Sequence, residues 1–345
     1  MRGLRRATLS PPPMFTRIVS IITPVILIIL IGWLYGRRAH PDMTGINRAT
    51  LEVIAPLLVV SAFISKDFVL ADQLVLLACA VAVVIGSGVL AWLVARMIGA
   101  NPRTFVPPMM FNNCGNMGLP LSVFAFGPAG LAPAVALFAA SNLMHFTVGM
   151  KIVNRQASMA QIARNPMVLA TVAGVALSLA KPYFTLPEPV YESIKLLGDA
   201  TVPLMLFALG VRMKDVSLRN WGMGVLGAAV CPLAGIVVAL GLAWWVPMTD
   251  LQRGLLFVFA ALPPAVLNFL VADHFRQEPD QVASIVLLGN IAAVVFVPIG
   301  LYLGLKLTFQ SSPRSRRAGV GRKRQTSNFK PMPASGARRS SAARP

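Results

Sequence analysis

An all-α polytopic membrane protein is the fold class this sequence predicts, and three observations predict it. Apolar residues make up 56% of the 345 positions and charged residues only 12%, where an ordinary soluble domain carries about 25% charge. Runs of roughly 20 apolar residues, enough for a helix to cross about 30 Å of hydrocarbon, recur along the whole chain. The charge sits apart from them. The net charge is +19, but residues 1–13 hold three Arg and residues 310–345 hold ten Lys or Arg, with no acid in either stretch. Most of the excess therefore lies in two tails, so a nucleic-acid partner is not expected and contact with anionic lipid headgroups is.

Ten spans follow in order, at 16–35, 49–65, 73–95, 104–126, 131–150, 166–180, 190–210, 221–246, 253–273 and 281–308. The first is too long for a cleavable signal segment, lacks a small-x-small site, and is expected to stay. Met14, just before it, is a candidate natural start. The chain accordingly divides into an N-terminal tail (1–15), a first five-helix unit (16–151), a connecting loop (152–165), a second five-helix unit (166–308) and a basic, disordered C-terminal tail (309–345). Cys79, Cys114 and Cys231 lie inside apolar runs, so neither a disulfide framework nor a metal site is expected.

The cations sort by side of the membrane. Loops on one side, here side B, carry Arg37, Arg38, Arg48, Arg96, Arg103, Lys151, Arg155, Arg164, Arg212, Lys214, Arg219 and Arg276, whereas side A loops carry Lys66, Lys181, Lys195 and Arg253. The short loops make side B cytoplasmic, while the basic tails on side A oppose that orientation.

An internal repeat organises the spans. Glu52 precedes Pro56 by four residues as Asp199 precedes Pro203, at an offset of 147, and Val135 to Asn142 overlays Ala283 to Asn290 at an offset of 148. Five spans per unit make the second copy enter the membrane upside down, an arrangement found in transporters. The same offset overlays Asn113 to Pro120 on Ala261 to Asn268. Both segments are poor helices: the first holds Asn113, Gly115, Asn116, Gly118 and Pro120, the second Pro263, Pro264 and Asn268. Proline inside a helix costs about 3 kcal/mol and glycine about 1, and unwound backbone survives at membrane depth only where it is buried in protein or lines a wet cavity.

Broken helices expose N-terminal N–H groups with partial positive charge, suited to an anion such as a carboxylate. Asn113, Asn116, Asn142, Asn268 and Asn290 would add neutral donors and acceptors, the alternative for each being interhelical glue worth about 0.6 kcal/mol. Since no Lys or Arg lies near a span centre, the site is expected to work without a fixed cation. Three intramembrane ionisable residues, Asp199, Glu52 and His145, are candidates for proton coupling, with Asp199 first because burial would raise its pKa. A structural role is the alternative for Glu52 and Asp199.

The run from Asn113 to Leu121, then Phe126, Gly127, Ser141 and Asn142, together with Ala260 to Pro263 continuing to Phe269 and Ala272, resembles the auxin efflux carrier family. That family includes the plant PIN auxin exporters and bacterial permeases linked to malate or malonate. The resemblance implies ten helices in two inverted repeats, with spans 1, 2, 6 and 7 as an often dimeric scaffold and spans 3–5 and 8–10 as a moving bundle. It also implies a substrate carboxylate where spans 4 and 9 cross, near Asn113, Pro120, Asn142 and Asn268. The plant proteins have a proline at both crossings, whereas here the repeat pairs Pro120 with Asn268. The short 152–165 connection is similar to the bacterial branch, which implies a multi-pass protein of the bacterial inner membrane.

The function expected is a secondary carrier of a small organic anion working by elevator-like alternating access, without a cofactor, in the lipid bilayer and as a homodimer through the scaffold. A sodium-coupled symporter of the bile acid type and a non-transporting membrane sensor or scaffold are the alternatives. An enzyme is not expected, because the chain has no His-Glu-x-x-His, G-x-S-x-G or P-loop motif.

Overall fold

In a chain this apolar each segment must pair its own backbone N–H and C=O groups, and helix is accordingly the only regular structure of more than one bridge among the described residues. The computed structural model describes residues 14–66, 68–154, 163–184, 186–212 and 221–310. The readings made of the tails to residue 13 and from residue 311, of loop residues 155–162, and of Arg155, Lys214 and Arg219 lie outside the described residues.

Twelve helices follow along the described chain: α1 (Met14–Ala39), α2 (Thr44–Ile64), α3 (Leu70–Ile98), α4 (Pro102–Met110), α5 (Cys114–Phe126), α6 (Pro128–Val153), α7 (Pro166–Ala180), α8 (Glu188–Arg212), α9 (Trp221–Trp245), α10 (Asp250–Ala260), α11 (Val266–His274) and α12 (Pro279–Gln310). Seven of them, α1, α2, α3, α6, α8, α9 and α12, are long and apolar enough to cross a membrane. The sixth expected span is the shorter α7, of 15 residues. The fourth and ninth are split, into α4 with α5 and α10 with α11.

Local chemistry sets the ends. Asn101 caps α4 by accepting from Arg103 N, and Asn165 caps α7 by accepting from Met167 N at 2.9 Å, each with a proline at the first helical position. Thr249 and Gln252 form a capping box at the start of α10. Gly99 ends α3 at φ 71°, a left-handed turn open to glycine without penalty.

Two groups of helices pack closely within themselves. In the first, α1 lies along α8, and α2 lies against α7 and α8. The α1–α8 contact is backbone to backbone: a Cβ on Gly210 would stand 2.0 Å from the Ile29 carbonyl oxygen, and one on Gly32 2.3 Å from that of Phe207. Small residues allow that approach where no hydrophobic force drives apolar helices together in lipid. In the second group, α3 packs on α4 and α9, and α9 on α10, with Gly235 against the Ala260 carbonyl. Lys181, after α7, clamps the α2–α3 connection by donating to the Ser65 and Phe68 carbonyls at 2.7 and 2.8 Å.

The two acids singled out for coupling sit in the first group. Arg48 pairs with Glu52 at 3.0 Å and Lys195 with Asp199 at 2.7 Å, both four residues apart on one helix. Glu52 falls in a π-helical turn (Thr50–Ile54) and Asp199 just before the turn at Ala200. The expected burial of Asp199 is corrected: its carboxylate is 40% exposed and held by Lys195. A base one helical turn before each acid gives it a partner without the protein interior.

Candidate functional site

Helix α4 ends at Met110 and α5 begins at Cys114, while α10 ends at Ala260 and α11 begins at Val266. The two gaps meet. Asn112 and Pro264 form an isolated antiparallel bridge, with Asn113 N donating to Pro263 O at 2.7 Å and Ala265 N to Phe111 O at 2.9 Å. Backbone groups released by one break are thus satisfied by the other, which is how irregular backbone persists at membrane depth. Pro263 and Pro264 have no N–H to give, so asparagine amides complete the joint. Asn112 Nδ2 donates to Phe259 O at 2.9 Å, and Asn268 Nδ2 to Phe111 O at 2.9 Å and Ala265 O at 3.0 Å. Asn290 Nδ2 donates to Pro264 O and Val286 O, while its Oδ1 accepts from Asn113 Nδ2 at 2.9 Å.

The break registers differ from the expected one. The second halves open at Cys114 and Val266, 152 residues apart, so Asn116 and Asn268 occupy the same third position of α5 and α11. Pro120 is therefore not at a crossing. It is buried inside α5, right after the π-helical turn Cys114–Gly118, in which Gly118 N reaches back to Asn113 O at 3.1 Å. That widened turn shifts the hydrogen-bond register ahead of the proline, so the helix continues through it.

Beside the joint lies a cavity of about 350 Å³. One wall comes from the first break and its neighbours: Asn112, Asn113, Cys114, Gly115 and Asn116, then Ser141, Asn142 and His145 of α6, and Ala265 to Leu267 at the head of α11. The facing wall comes from α2 (Asn47, Thr50, Glu52), the head of α7 (Asn165 to Met167) and the second half of α8, from Leu204 to Arg212. The first turns of α5 and α11 both contribute to this lining; the N–H groups of Cys114, Met117 and Asn268 bond to Asn112 O, Asn113 O and Ala265 O, and those of Gly115, Asn116, Val266 and Leu267 have no acceptor within their own helix. A Cβ on Gly115 would stand 2.8 Å from the Phe138 ring, so the bare backbone fits there and a side chain does not. His145 is buried and stacks on Phe111, with centroids 4.2 Å apart and 7° between planes. Cys114 Sγ lies 3.7 Å from Ser141 Oγ, and Cys231 Sγ 3.3 Å from Asn112 Oδ1.

Of the residues expected at the site, Asn113, Gly115, Asn116, Asn142, Glu52 and His145 line this cavity. Pro263, Pro264 and Asn268 are buried in the joint behind it. Asn290 holds Asn113 from the far side, and Pro120 and Asp199 do not line it. Asn112, Ser141, Asn47, Asn165 and Arg212 join the lining without having been singled out. Arg212 brings a cation to the edge of the cavity, where none was expected near a span centre. As the last residue of α8 it reads in sequence as a loop charge, and only the fold of α8 against α2 and α7 turns it toward the cavity.

Residues 152–301 match the membrane transport protein family. An uncharacterized transporter of Methanothermobacter thermautotrophicus is 24% identical over 295 residues, covering 81% of this chain and 95% of that one. A candidate malonate transporter of Rhizobium meliloti is 26% identical over 207 residues, 56% of this chain and 64% of its own. Auxin efflux carrier component 6 of Arabidopsis thaliana is 25% identical over 142 residues, 39% of this chain and 24% of its own. The chain is a multi-pass membrane transporter homologue, and these matches bear out its resemblance to the auxin efflux carrier family.

Proposed function

We propose that the chain is a secondary carrier of a small organic anion, a carboxylate by preference, bound in the cavity beside the helix crossing. The observation that carries this is the convergence, in the lining of one space of about 350 Å³, of two half-helix N-termini, Asn116 and Asn142, with Arg212 at its edge. Helix ends and amides stabilise a carboxylate without a full charge beside it, and Arg212 adds attraction at the cavity's edge. The printed name of the Rhizobium relative agrees with such a cargo.

In this reading the ten expected spans form two inverted five-helix repeats. The ion pairs Arg48–Glu52 and Lys195–Asp199 recur at the same offset of 147 and support it. The group α1, α2, α7 and α8 serves as scaffold and dimer interface. The remaining helices form a bundle that carries the crossing past it, in the elevator manner. Arg212 and Asn165 lie toward side B, so the cavity belongs to the state open to that side, the cytoplasmic side of a bacterial inner membrane. Proton coupling falls to His145 or Glu52, both in the cavity wall.

The test is counterflow of labelled C3 and C4 carboxylates into proteoliposomes, with and without a pH gradient. Saturable exchange that Asn116→Ala lowers about 10- to 100-fold is the expected result. Saturable binding without flux across a sealed bilayer would instead make the chain a sensor, and exchange untouched by Asn116→Ala would remove the cavity from the mechanism.

A further inference from the structure

A second cavity, about 320 Å³, has the opposite chemistry. It is a groove between α1 and α12, floored by Met117 and Leu121 of α5 and Leu209 of α8. Along α1 its lining runs from Ile22 to Trp33, a rise of about 16 Å along the helix, close to one leaflet's half of the ~30 Å hydrocarbon core. Its rim residues Ile26, Leu30, Ile291 and Val294 are exposed. Asn290 is the one amide in it, and that amide is already engaged by Pro264, Val286 and Asn113. The groove therefore offers an anion nothing and a hydrocarbon chain a matched surface.

Its Trp33 end is different. The Arg37 guanidinium lies 4.9 Å from the centre of the Trp33 ring, and Arg38 follows in the last turn of α1. Among the described residues no carboxylate pairs with either arginine. A tryptophan with a stacked arginine at a span end marks the headgroup level, and two arginines there complement a phosphodiester. We propose that this groove is a lipid site: an acyl chain of an anionic phospholipid lies between α1 and α12, with its phosphate at Arg37 and Arg38. The site would place lipid directly behind Asn290, the residue that holds Asn113 at the crossing.

This rests on the membrane placement and not on transport, so its test needs no flux. Trp92, Trp221, Trp244 and Trp245, all exposed, are replaced by Phe, leaving Trp33 as the sole fluorophore in phosphatidylcholine vesicles. Acyl-brominated phosphatidylglycerol should quench Trp33 with about fivefold higher effective affinity than acyl-brominated phosphatidylcholine, the value of roughly one interfacial cation. Arg37→Gln with Arg38→Gln should abolish the preference, and Val294→Phe, which fills the exposed rim, should lower quenching by both lipids. Equal quenching by the two lipids overturns the proposal, as does a preference that survives the double arginine variant or quenching that Val294→Phe leaves unchanged. Trp33 shielded from both lipids, as it would be if a second copy of the chain covered the groove, overturns it too.

Discussion

The two broken helices solve the same problem with different residues. The α4–α5 break is built from asparagine and glycine and opens on the cavity, so its side chains serve both the joint and the space beside it. The α10–α11 break is built from Pro263 and Pro264, which are buried, and it meets the cavity through Ala265 to Leu267, without a polar side chain. It supplies carbonyls to its partner, and its Asn268 is spent on backbone, with Nδ2 bonded to Phe111 O and Ala265 O and Oδ1 buried without a partner among the described residues. The difference teaches that a symmetric joint does not make a symmetric site. In the proposed function one break brings asparagine side chains to the substrate, while the other contributes backbone.

The sharpest way to break that comparison is to change the two equivalent asparagines. Asn116→Ala should lower carboxylate flux about 10- to 100-fold, the loss of one hydrogen bond to a charged ligand, with an unchanged thermal midpoint in detergent. Asn268→Ala should act in reverse, costing about 0.5–1.5 kcal/mol of stability through the lost bonds to Phe111 O and Ala265 O, with flux falling only as far as the folded fraction does. Matching profiles from the two variants would erase the division.

A double-mutant cycle of Asn113→Ala and Asn290→Ala sharpens the middle ground. The coupling expected is that of an interhelical hydrogen bond in a membrane, about 0.6 kcal/mol, read from unfolding in mixed micelles. Additive effects would mean that Asn290 does not hold Asn113 in the lipid-embedded protein.

The smallest effects are expected far from both breaks. Asp199→Asn removes a half-exposed ion pair one turn long, worth about 0.3–0.5 kcal/mol. Asp199→Asn should leave the pH profile of flux unchanged. A profile that shifts in this variant would return Asp199 to the coupling role that its place in the sequence suggested.

Much of this was legible in the residues. Hydropathy located each of the seven helices long and apolar enough to cross a membrane, and Asn, Gly and Pro density located both breaks, because unwound backbone in an apolar run has few other causes. The register of the joint was not legible. The offset of 148 placed Pro120 opposite Asn268, since it was read from whole spans, and neither the π-helical turn at Cys114–Gly118 nor the longer proline loop leaves a periodic signal. Arg212 was missed for a related reason: a cation at a span end has the same sequence appearance whether it faces solvent, lipid or a cavity.

By itself, then, the sequence determined that this chain is helical, membrane-embedded and interrupted at two places, since those are consequences of local hydropathy and backbone chemistry. Only the tertiary structure decided that the two interruptions hydrogen-bond each other, that one brings asparagine side chains to a polar cavity while the prolines of the other are buried, and that Asp199 is paired outside the protein interior. Each of these depends on which helices lie against which, and no local pattern of apolar residues carries that information.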